Sequence, residues 1–256
     1  MKNNEFIKNK FIFGLIGRNI QYSFSREYFI KKFKKEFIKN CDYIIFDIPK
    51  IEDVISILNK PFLRGCNVTI PYKIKIFPFL DKIDKEARLI GSINVINIEK
   101  NKKIGYNTDI LGFKKSFEKF IRIIKDYKYL KALILGTGGA SKTVSYVLHK
   151  LDIKHKFVSR NSIEDNVLLY NEINKEILDE YKIIINCTPL GTHPNINCCP
   201  LIPYQYISNN HIFYDLIYNP SKTLFLKQGE KKGALIKNGL DMLYIQAEYS
   251  WKIWNS

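Results

Sequence analysis

The chain has 256 residues and carries 41 Lys or Arg against 25 Asp or Glu, a formal net charge of +16. It is 46% hydrophobic and 14% aromatic, which is enough apolar material for a core and excludes a disordered chain. No run approaches the roughly 18 consecutive apolar residues of a spanning helix, so one or two soluble domains without a membrane partner are expected.

The basic excess raises the question of nucleic acid. Of the 41 cations, 35 are Lys and 6 are Arg, the residue favoured for bidentate reading of phosphate and guanine. The lysines are scattered, and no nucleic-acid-binding motif is present, so no nucleic-acid partner is expected. The apolar run Phe11 to Gly17 follows a basic start but is short, runs into Arg18 and lacks a small-residue cleavage site. A cytoplasmic protein is expected. The five cysteines, Cys41, Cys66, Cys187, Cys198 and Cys199, are odd in number and form no Cys-x-x-Cys pair. They are expected as free thiols. His193 with Cys198 and Cys199 supplies too few ligands for a closed metal site, and no metal is expected.

In chain order, Phe11 to Ile16 is expected as a strand, Glu27 to Phe37 as a basic amphipathic helix and Tyr43 to Asp47 as a second strand. Ile51 to Asn59 is expected as a helix and Gly65 to Ile70 as a third strand, with Pro71 opening a further helix at its favoured first position. Ser92 to Ile98 and Lys102 to Tyr106 resemble a hairpin. This alternation is α/β and lacks a dinucleotide fingerprint, so substrate binding is assigned to the first half.

A helix through Leu111 to Phe120 leads to the clearest local signal. Lys131 to Leu135 is a short apolar run of the kind that forms a buried parallel strand. Gly136, Thr137, Gly138, Gly139, Ala140 and Ser141 follow at once, then a helix over Lys142 to Lys150 with Val144, Val147 and Leu148 on one face. A strand closing at Phe157 and Val158 ends in Ser159, Arg160 and Asn161. Strand, Gly-rich turn, helix and strand make a βαβ unit. Its glycines let backbone approach a pyrophosphate, and its helix points free N–H groups at that anion. The alternative is a tight turn that binds nothing. NAD-binding units place an acid at the second strand's end to accept from the ribose 2′-OH. Here no acid occurs before Glu164, and Arg160 suits a 2′-phosphate, so NADP is favoured over NAD. A solvated strand-end cation is the plain alternative for Arg160.

Two more apolar runs, Ile183 to Asn186 and Ile212 to Tyr218, lead into Cys187 to Thr192 and into Asn219 and Pro220. Both are expected as buried strands with polar ends, where ligands sit in open α/β sheets. In the first half, Ser23 and Ser25 lie two apart after the first strand. Asn67, Thr69 and Lys73 surround the third strand's end, and Asn94 and the Asn107, Thr108, Asp109 run follow. Each has a plain structural alternative: Ser25 and Asp109 fit helix caps, Asn67 and Thr69 fit strand-end partners, and Lys73 fits a surface lysine.

Taken together these residues resemble the shikimate dehydrogenase family along essentially the whole chain. The likeness rests on eight blocks in order. They are Gly14-Leu-Ile-Gly17 with Ser23-x-Ser25, Gly65 through Lys73, Gly91-Ser-Ile-Asn94, and Gly105 through Asp109 with Gly112. The remainder are Gly136 to Ala140, Asn186-Cys-Thr188 with Gly191, Asp215 through Tyr218 with Pro220 and Thr223, and Asn238 through Met242 with Gln246 and Ala247.

The resemblance implies NADPH-dependent, reversible reduction of 3-dehydroshikimate to shikimate in aromatic amino-acid (chorismate) biosynthesis. Lys73 and Asp109 would be the catalytic pair. Ser23 and Ser25, helped by Tyr218, would hold the substrate carboxylate, while Thr69, Asn94 and Gln246, with Asp109, would bind the ring hydroxyls. Gly136, Thr137, Gly138, Gly139 and Ala140 would cradle the pyrophosphate. Ser159, Arg160 and Asn161 would lie at the 2′-phosphate, and Leu216 and Gly239 on the nicotinamide side. Asn19, Tyr22, Arg26, Val95 and Ser159 depart from the family's usual residues. A quinate/shikimate enzyme with relaxed substrate or cofactor choice and an inactive ligand-binding relative stay open as alternatives.

The fold expected is two α/β domains. Residues 1–108 plus 238–256 would form a substrate-binding domain, and residues 109–237 a Rossmann-type NADP-binding domain. The C-terminal helix would return to the first domain with Trp251 and Trp254 as core anchors, and the site would lie in the cleft between the domains. A monomer or homodimer is expected.

Overall fold

The computed structural model describes residues 10–21, 23–124, 129–161 and 166–256. Tyr22 and Glu164 lie outside the described residues. The chain forms two compact units: one ends at Asn107 and takes in Ser250–Ser256, and the other is Thr108–Tyr249.

The first unit runs β1 (Phe11–Gly17), α1 (Ser25–Lys35), β2 (Cys41–Asp47), α2 (Val54–Leu58), β3 (Leu63–Val68), β4 (Lys82–Ile83), α3 (Lys85–Ile90), β5 (Val95–Glu99) and β6 (Lys102–Tyr106). Its sheet has the order β2-β1-β3-β5-β6-β4. β1 pairs in parallel with β2 and β3, and β5 joins antiparallel to both β3 and β6. One face is closed by an aromatic cluster. Phe29 stacks on Tyr43 at 4.5 Å and 11°. Trp254 lies 4.9 Å from Phe13 and 5.4 Å from Phe29, and its Nε1–H donates to the Ile96 carbonyl at 3.0 Å. Gly65 lies directly under the Trp254 ring, where a Cβ would collide with it. The other face holds Ile16, Val54, Ile57, Val68, Tyr72, Ile76 and Ile93.

The second unit runs α4 (Asp109–Ile121), β7 (Ala132–Leu135), α5 (Gly139–Lys150), β8 (His155–Ser159), β9 (Val167–Leu169), α6 (Lys175–Glu180), β10 (Ile183–Asn186), β11 (Ile212–Asp215), α7 (Leu224–Lys231), β12 (Leu235–Lys237) and α8 (Leu240–Trp254), whose residues from Ser250 on belong to the first unit. Its sheet is parallel throughout in the order β12-β11-β10-β7-β8-β9. β7, β10 and β11 are buried at every residue, as strands covered on both faces require. The chain moves outward from β7 to β9, then returns to place β10 on β7's other side. That reversal is the topological switch point at which open α/β sheets bind ligands.

Several expectations need correction. Pro71 opens no helix: residues 71–76 form successive turns before a 3₁₀ turn at Phe77–Phe79. The Lys73 carbonyl accepts the Ile93 N–H at 2.9 Å, which ties this segment to the strand edge in place of a helical ladder. The helix over Ile51 to Asn59 is a 3₁₀ turn, Ile51–Asp53, running into the short α2. β11 stops at Asp215 rather than Tyr218, because the Asp215 carboxylate accepts the Ile217 N–H at 3.0 Å and turns the chain. Residues 238–249, expected with the first unit, group with the second, and the part that groups with the first starts at Ser250. The reason is close packing of α8 on α4. A Cβ on Gly112 would lie 2.9 Å from the Met242 carbonyl and 3.0 Å from Gln246 Cβ. All five cysteines are free. Among the described residues no helix is long and apolar enough to cross a membrane.

Trp254→Ala is expected to cost about 3–5 kcal/mol, the usual loss for a buried large aromatic. It would appear as a lowered denaturation midpoint, with Trp254→Phe between variant and parent. An unchanged midpoint for Trp254→Ala would contradict this account of the first core.

Candidate active site

In the first unit, polar side chains gather at one sheet edge, where β1 and β3 end and the antiparallel β5 begins. Asp47 closes β2 and accepts the N–H groups of Asn19 at 2.7 Å and Ile20 at 3.1 Å, shaping the loop after β1 with Asn19 at φ 56°. Ser23 N–H donates to the Ile20 carbonyl at 2.9 Å, and the Ser23 hydroxyl donates to Ser25 Oγ at 3.2 Å. Ser25 is the first helical residue and not the cap, since Phe24 holds the cap position without a side-chain bond.

Thr69, Lys73 and Asn94 are brought together through the backbone. Thr69 N–H donates to the Ile16 carbonyl at 2.9 Å, and its carbonyl accepts Tyr72 N–H at 2.8 Å. The Lys73 carbonyl accepts Ile93 N–H, while the neighbouring Asn94 donates to the Tyr106 carbonyl at 3.0 Å and accepts Val68 N–H at 2.8 Å. Lys73 is half-buried and Asn94 is 3% exposed. Asn67 works beneath them. Its Oδ1 accepts the Tyr43 hydroxyl at 2.8 Å, and its Nδ2 donates to Ser250 Oγ at 2.9 Å and to the Asn94 carbonyl at 3.3 Å. Asn107 Nδ2 similarly donates to the Ser92 carbonyl at 2.9 Å.

In the second unit the loop after β7 is open and leads into a helix N-terminus. Gly136 adopts φ +107°, a left-handed conformation suited to glycine. Thr137 and Gly138 are exposed, and a Cβ on Gly138 would meet nothing within 4 Å. Packing of the protein therefore does not call for glycine there. α5 starts at Gly139 and directs its first N–H groups toward the same space. Ser141, in place of the fingerprint's third glycine, is fully buried with no hydrogen-bond partner for its hydroxyl. Ser159, Arg160 and Asn161 end β8, with Arg160 and Asn161 exposed. Tyr170 follows β9, which pairs with β8. Burial pushes its phenol up to about 12, and the Arg160 charge opposes the rise. Open room at Gly138, a helix N-terminus and an exposed Arg at the second strand's end fit a dinucleotide carrying a 2′-phosphate.

The loops after β10 and β11 meet over a buried polar network. Asp215 is wholly buried. Its Oδ1 accepts Asn186 Nδ2 at 3.1 Å and Ile217 N–H at 3.0 Å, and its Oδ2 accepts the Thr223 hydroxyl at 2.6 Å. Burial pushes its carboxyl up to about 7 against the pull of Thr223, Ile217 and Asn186. Asn186 Oδ1 in turn accepts Thr188 N–H at 3.0 Å and its hydroxyl at 2.7 Å. Leu216 and Gly239 are in contact: a Cβ on Gly239 would strike the Leu216 carbonyl, and Gly239 N–H donates to the Ile217 carbonyl at 3.1 Å. Tyr218, half-buried, lies two residues beyond Leu216. Asp109 occupies the first helical position of α4 and is 4% exposed, where the helix dipole favours an anion. Gln246, on α8 against that helix, donates Nε2–H to the Leu243 carbonyl at 3.0 Å.

Residues 15–96 match the family model described as the shikimate dehydrogenase substrate binding domain. The shikimate dehydrogenase (NADP(+)) of Methanococcus aeolicus is 38% identical over 95% of this chain and 91% of its own. The crystal structure of shikimate dehydrogenase 1 from Peptoclostridium difficile superposes with a TM-score of 0.83 at 35% identity, covering 96% of this chain and 91% of that one. A shikimate dehydrogenase crystallised with NADP+ gives 0.79 at 33% identity, covering 96% and 90%.

The chain belongs to the shikimate dehydrogenase family.

Within this family's motifs, the structure joins Ser23 to Ser25, Thr69 to Lys73 and Asn94, and Leu216 to Gly239. It also seats the Asp109 helix against that of Gln246. Arg160 lies between the candidates Ser159 and Asn161, just past the end of β8. Reading the chain residue by residue missed the polar groups beneath these positions. Asp47 and Asp215 carried a signal, an acid closing an apolar run; Tyr43 and Ser250 carried none, because their partner Asn67 is distant in sequence.

Gly138→Ala is expected to leave thermal stability within about 1 °C of the parent, since the added methyl meets no protein atom. It is expected to raise KM for NADP roughly tenfold by intruding on the phosphate's approach. An unchanged KM would remove Gly138 from the cofactor cradle.

Proposed function

We propose that this chain catalyses the reversible, NADPH-dependent reduction of 3-dehydroshikimate to shikimate, a step of aromatic amino-acid biosynthesis. The observation that carries this reading is the pairing of two features. A basic residue and amide-hydroxyl partners (Lys73 with Thr69 and Asn94) share one sheet edge in the first unit, and the second unit holds a phosphate cradle with Arg160.

Bound NADPH supplies the hydride to the substrate carbonyl carbon. Lys73 donates the proton that the carbonyl oxygen needs, and its ammonium stabilises the alkoxide as charge develops there. Asp109 acts with Lys73 as the second member of the catalytic pair. In the reverse direction the same amine takes the proton from the hydroxyl. The hydroxyls of Ser23, Ser25 and Tyr218 donate to the substrate carboxylate, and Thr69, Asn94 and Gln246 bind its ring hydroxyls. Gly136 to Ala140 hold the pyrophosphate through backbone N–H groups, Arg160 pairs with the 2′-phosphate, assisted by Ser159 and Asn161, and Leu216 and Gly239 flank the nicotinamide.

The test is nicotinamide absorbance with shikimate and with quinate, each with NADP and with NAD. Turnover of shikimate with NADP well above the other pairs is expected, and its absence overturns the assignment. Lys73→Ala is expected to lower kcat about 10²–10⁴-fold with a much smaller change in substrate affinity. Arg160→Ala is expected to raise KM for NADP roughly tenfold or more while leaving KM for NAD near the parent's. Equal losses with both cofactors would detach Arg160 from the 2′-phosphate.

A further inference from the structure

We propose that Asp215 is a positioning residue. It fixes, through one buried carboxylate, the loops that carry Leu216, Tyr218 and Gly239 and the neighbouring loop of Thr188. The proposal rests on the functional reading above for what those loops hold, and on geometry for the rest.

The hydrogen-bond directions in the network are determined. Thr188 N–H can only donate, so the Asn186 oxygen faces Thr188 and the Asn186 NH₂ faces Asp215. Ile217 N–H can only donate, and it meets the same Asp215 oxygen. The Thr223 hydroxyl oxygen already accepts Leu226 N–H at 3.3 Å, so its proton points to the other Asp215 oxygen. Every group facing residue 215 is thus a donor, and an acceptor-only side chain completes the set. Leu216 N–H bonds the Asn186 carbonyl at 3.0 Å, and Gly239 N–H bonds that of Ile217. The chain of bonds therefore runs from Thr188 through Asn186 and Asp215 to Ile217 and Gly239. Thr188 Cγ2 lies 3.3 Å from where a Cβ of Gly136 would stand, so this network also abuts the phosphate loop. Asp215 is wholly buried and touches no solvent, which separates it from residues that meet ligand. An amide at 215 turns an N–H toward Thr223 and forces its hydroxyl proton to find another acceptor.

The experiment compares Asp215→Asn, Thr223→Val and Thr223→Ser with the parent by three readouts. These are steady-state kinetics with shikimate and NADP, affinity for 2′,5′-ADP, and amide hydrogen exchange. Asp215→Asn and Thr223→Val are expected to lower kcat/KM for shikimate about tenfold or more. Exchange at residues 187–191 and 216–218 is expected to quicken in both. Affinity for 2′,5′-ADP, which the β7 and β8 loops hold, should stay within about twofold. Thr223→Ser, which keeps the hydroxyl, is expected to restore the parent's values. Unchanged exchange at 187–191 and 216–218 in both variants overturns the proposal. So does a loss of 2′,5′-ADP affinity in step with the shikimate loss, which marks a general structural role. If Asp215→Asn fails to fold, the Thr223 pair decides the matter by the same readouts. A parent without shikimate turnover defeats the functional reading, while the exchange data still judge the positioning role.

Discussion

Parallel strands stop with backbone N–H and C=O groups that the next strand no longer pairs, and both units are organised around that constraint. A buried group left unpaired costs about as much as a lost hydrogen bond or more. Loops leaving a strand end in such surroundings need side chains that substitute for a ladder. Asp47 does so after β1, accepting the N–H groups of Asn19 and Ile20. Asn67 does so after β3, reaching the Asn94 carbonyl. Asn186 and Asp215 do so after β10 and β11. Of the residues proposed to touch ligands, Thr69 and Lys73 stand two and six positions beyond Asn67, and Leu216 and Tyr218 one and three beyond Asp215. The polar residues that would bind substrate are therefore held by polar residues that would not, which is how a loop can be as well placed as a strand.

Charge follows the same division. The net charge of +16 is spread over many exposed lysines and sets a general positive field that draws anions, an effect salt would weaken. It does not identify a site. Two cations are proposed to act: Lys73, half-buried and tied to Ile93 by its own carbonyl, and Arg160, exposed just past the end of β8. Two buried carboxylates differ in their surroundings. Asp109 rests on a helix N-terminus, and Asp215 on donors aimed at both of its oxygens. The first arrangement sets the carboxylate against a helix's positive end. The second consumes its acceptor capacity inside the protein.

The sequence was most legible where one physical cause acted alone. Ile183 to Asn186 is apolar on both faces, and the strand runs over those same residues. The β7–α5–β8 unit was legible because glycine spacing, an apolar run and a helix face all agreed. The motif blocks of the candidate site were also legible, as a set, before any contact was known. The short pieces were not. α6, β9 and β12 are 6, 3 and 3 residues long, too short for a period of 3.6 or 2 to declare itself. The boundary of the C-terminal segment was misjudged because it is decided by a contact between Gly112 and residues some 130 positions away. No local pattern reports that.

The failure at Pro71 is the instructive one. Proline after a strand and a following run of Lys and Ile satisfy every local rule for starting a helix. The chain instead turns, because the Lys73 carbonyl is claimed by Ile93 and the side chains of Tyr72 and Ile76 are drawn into the core. A regular helix would spend that carbonyl on residue 77 and would release the strand-edge segment holding Asn94. Irregular backbone here is what lets Lys73 and Asn94 be neighbours on one edge while lying far apart in sequence. Local propensity loses to a long-range hydrogen bond at Lys73, the amine proposed to act on substrate, and such conflicts are expected to gather at functional sites.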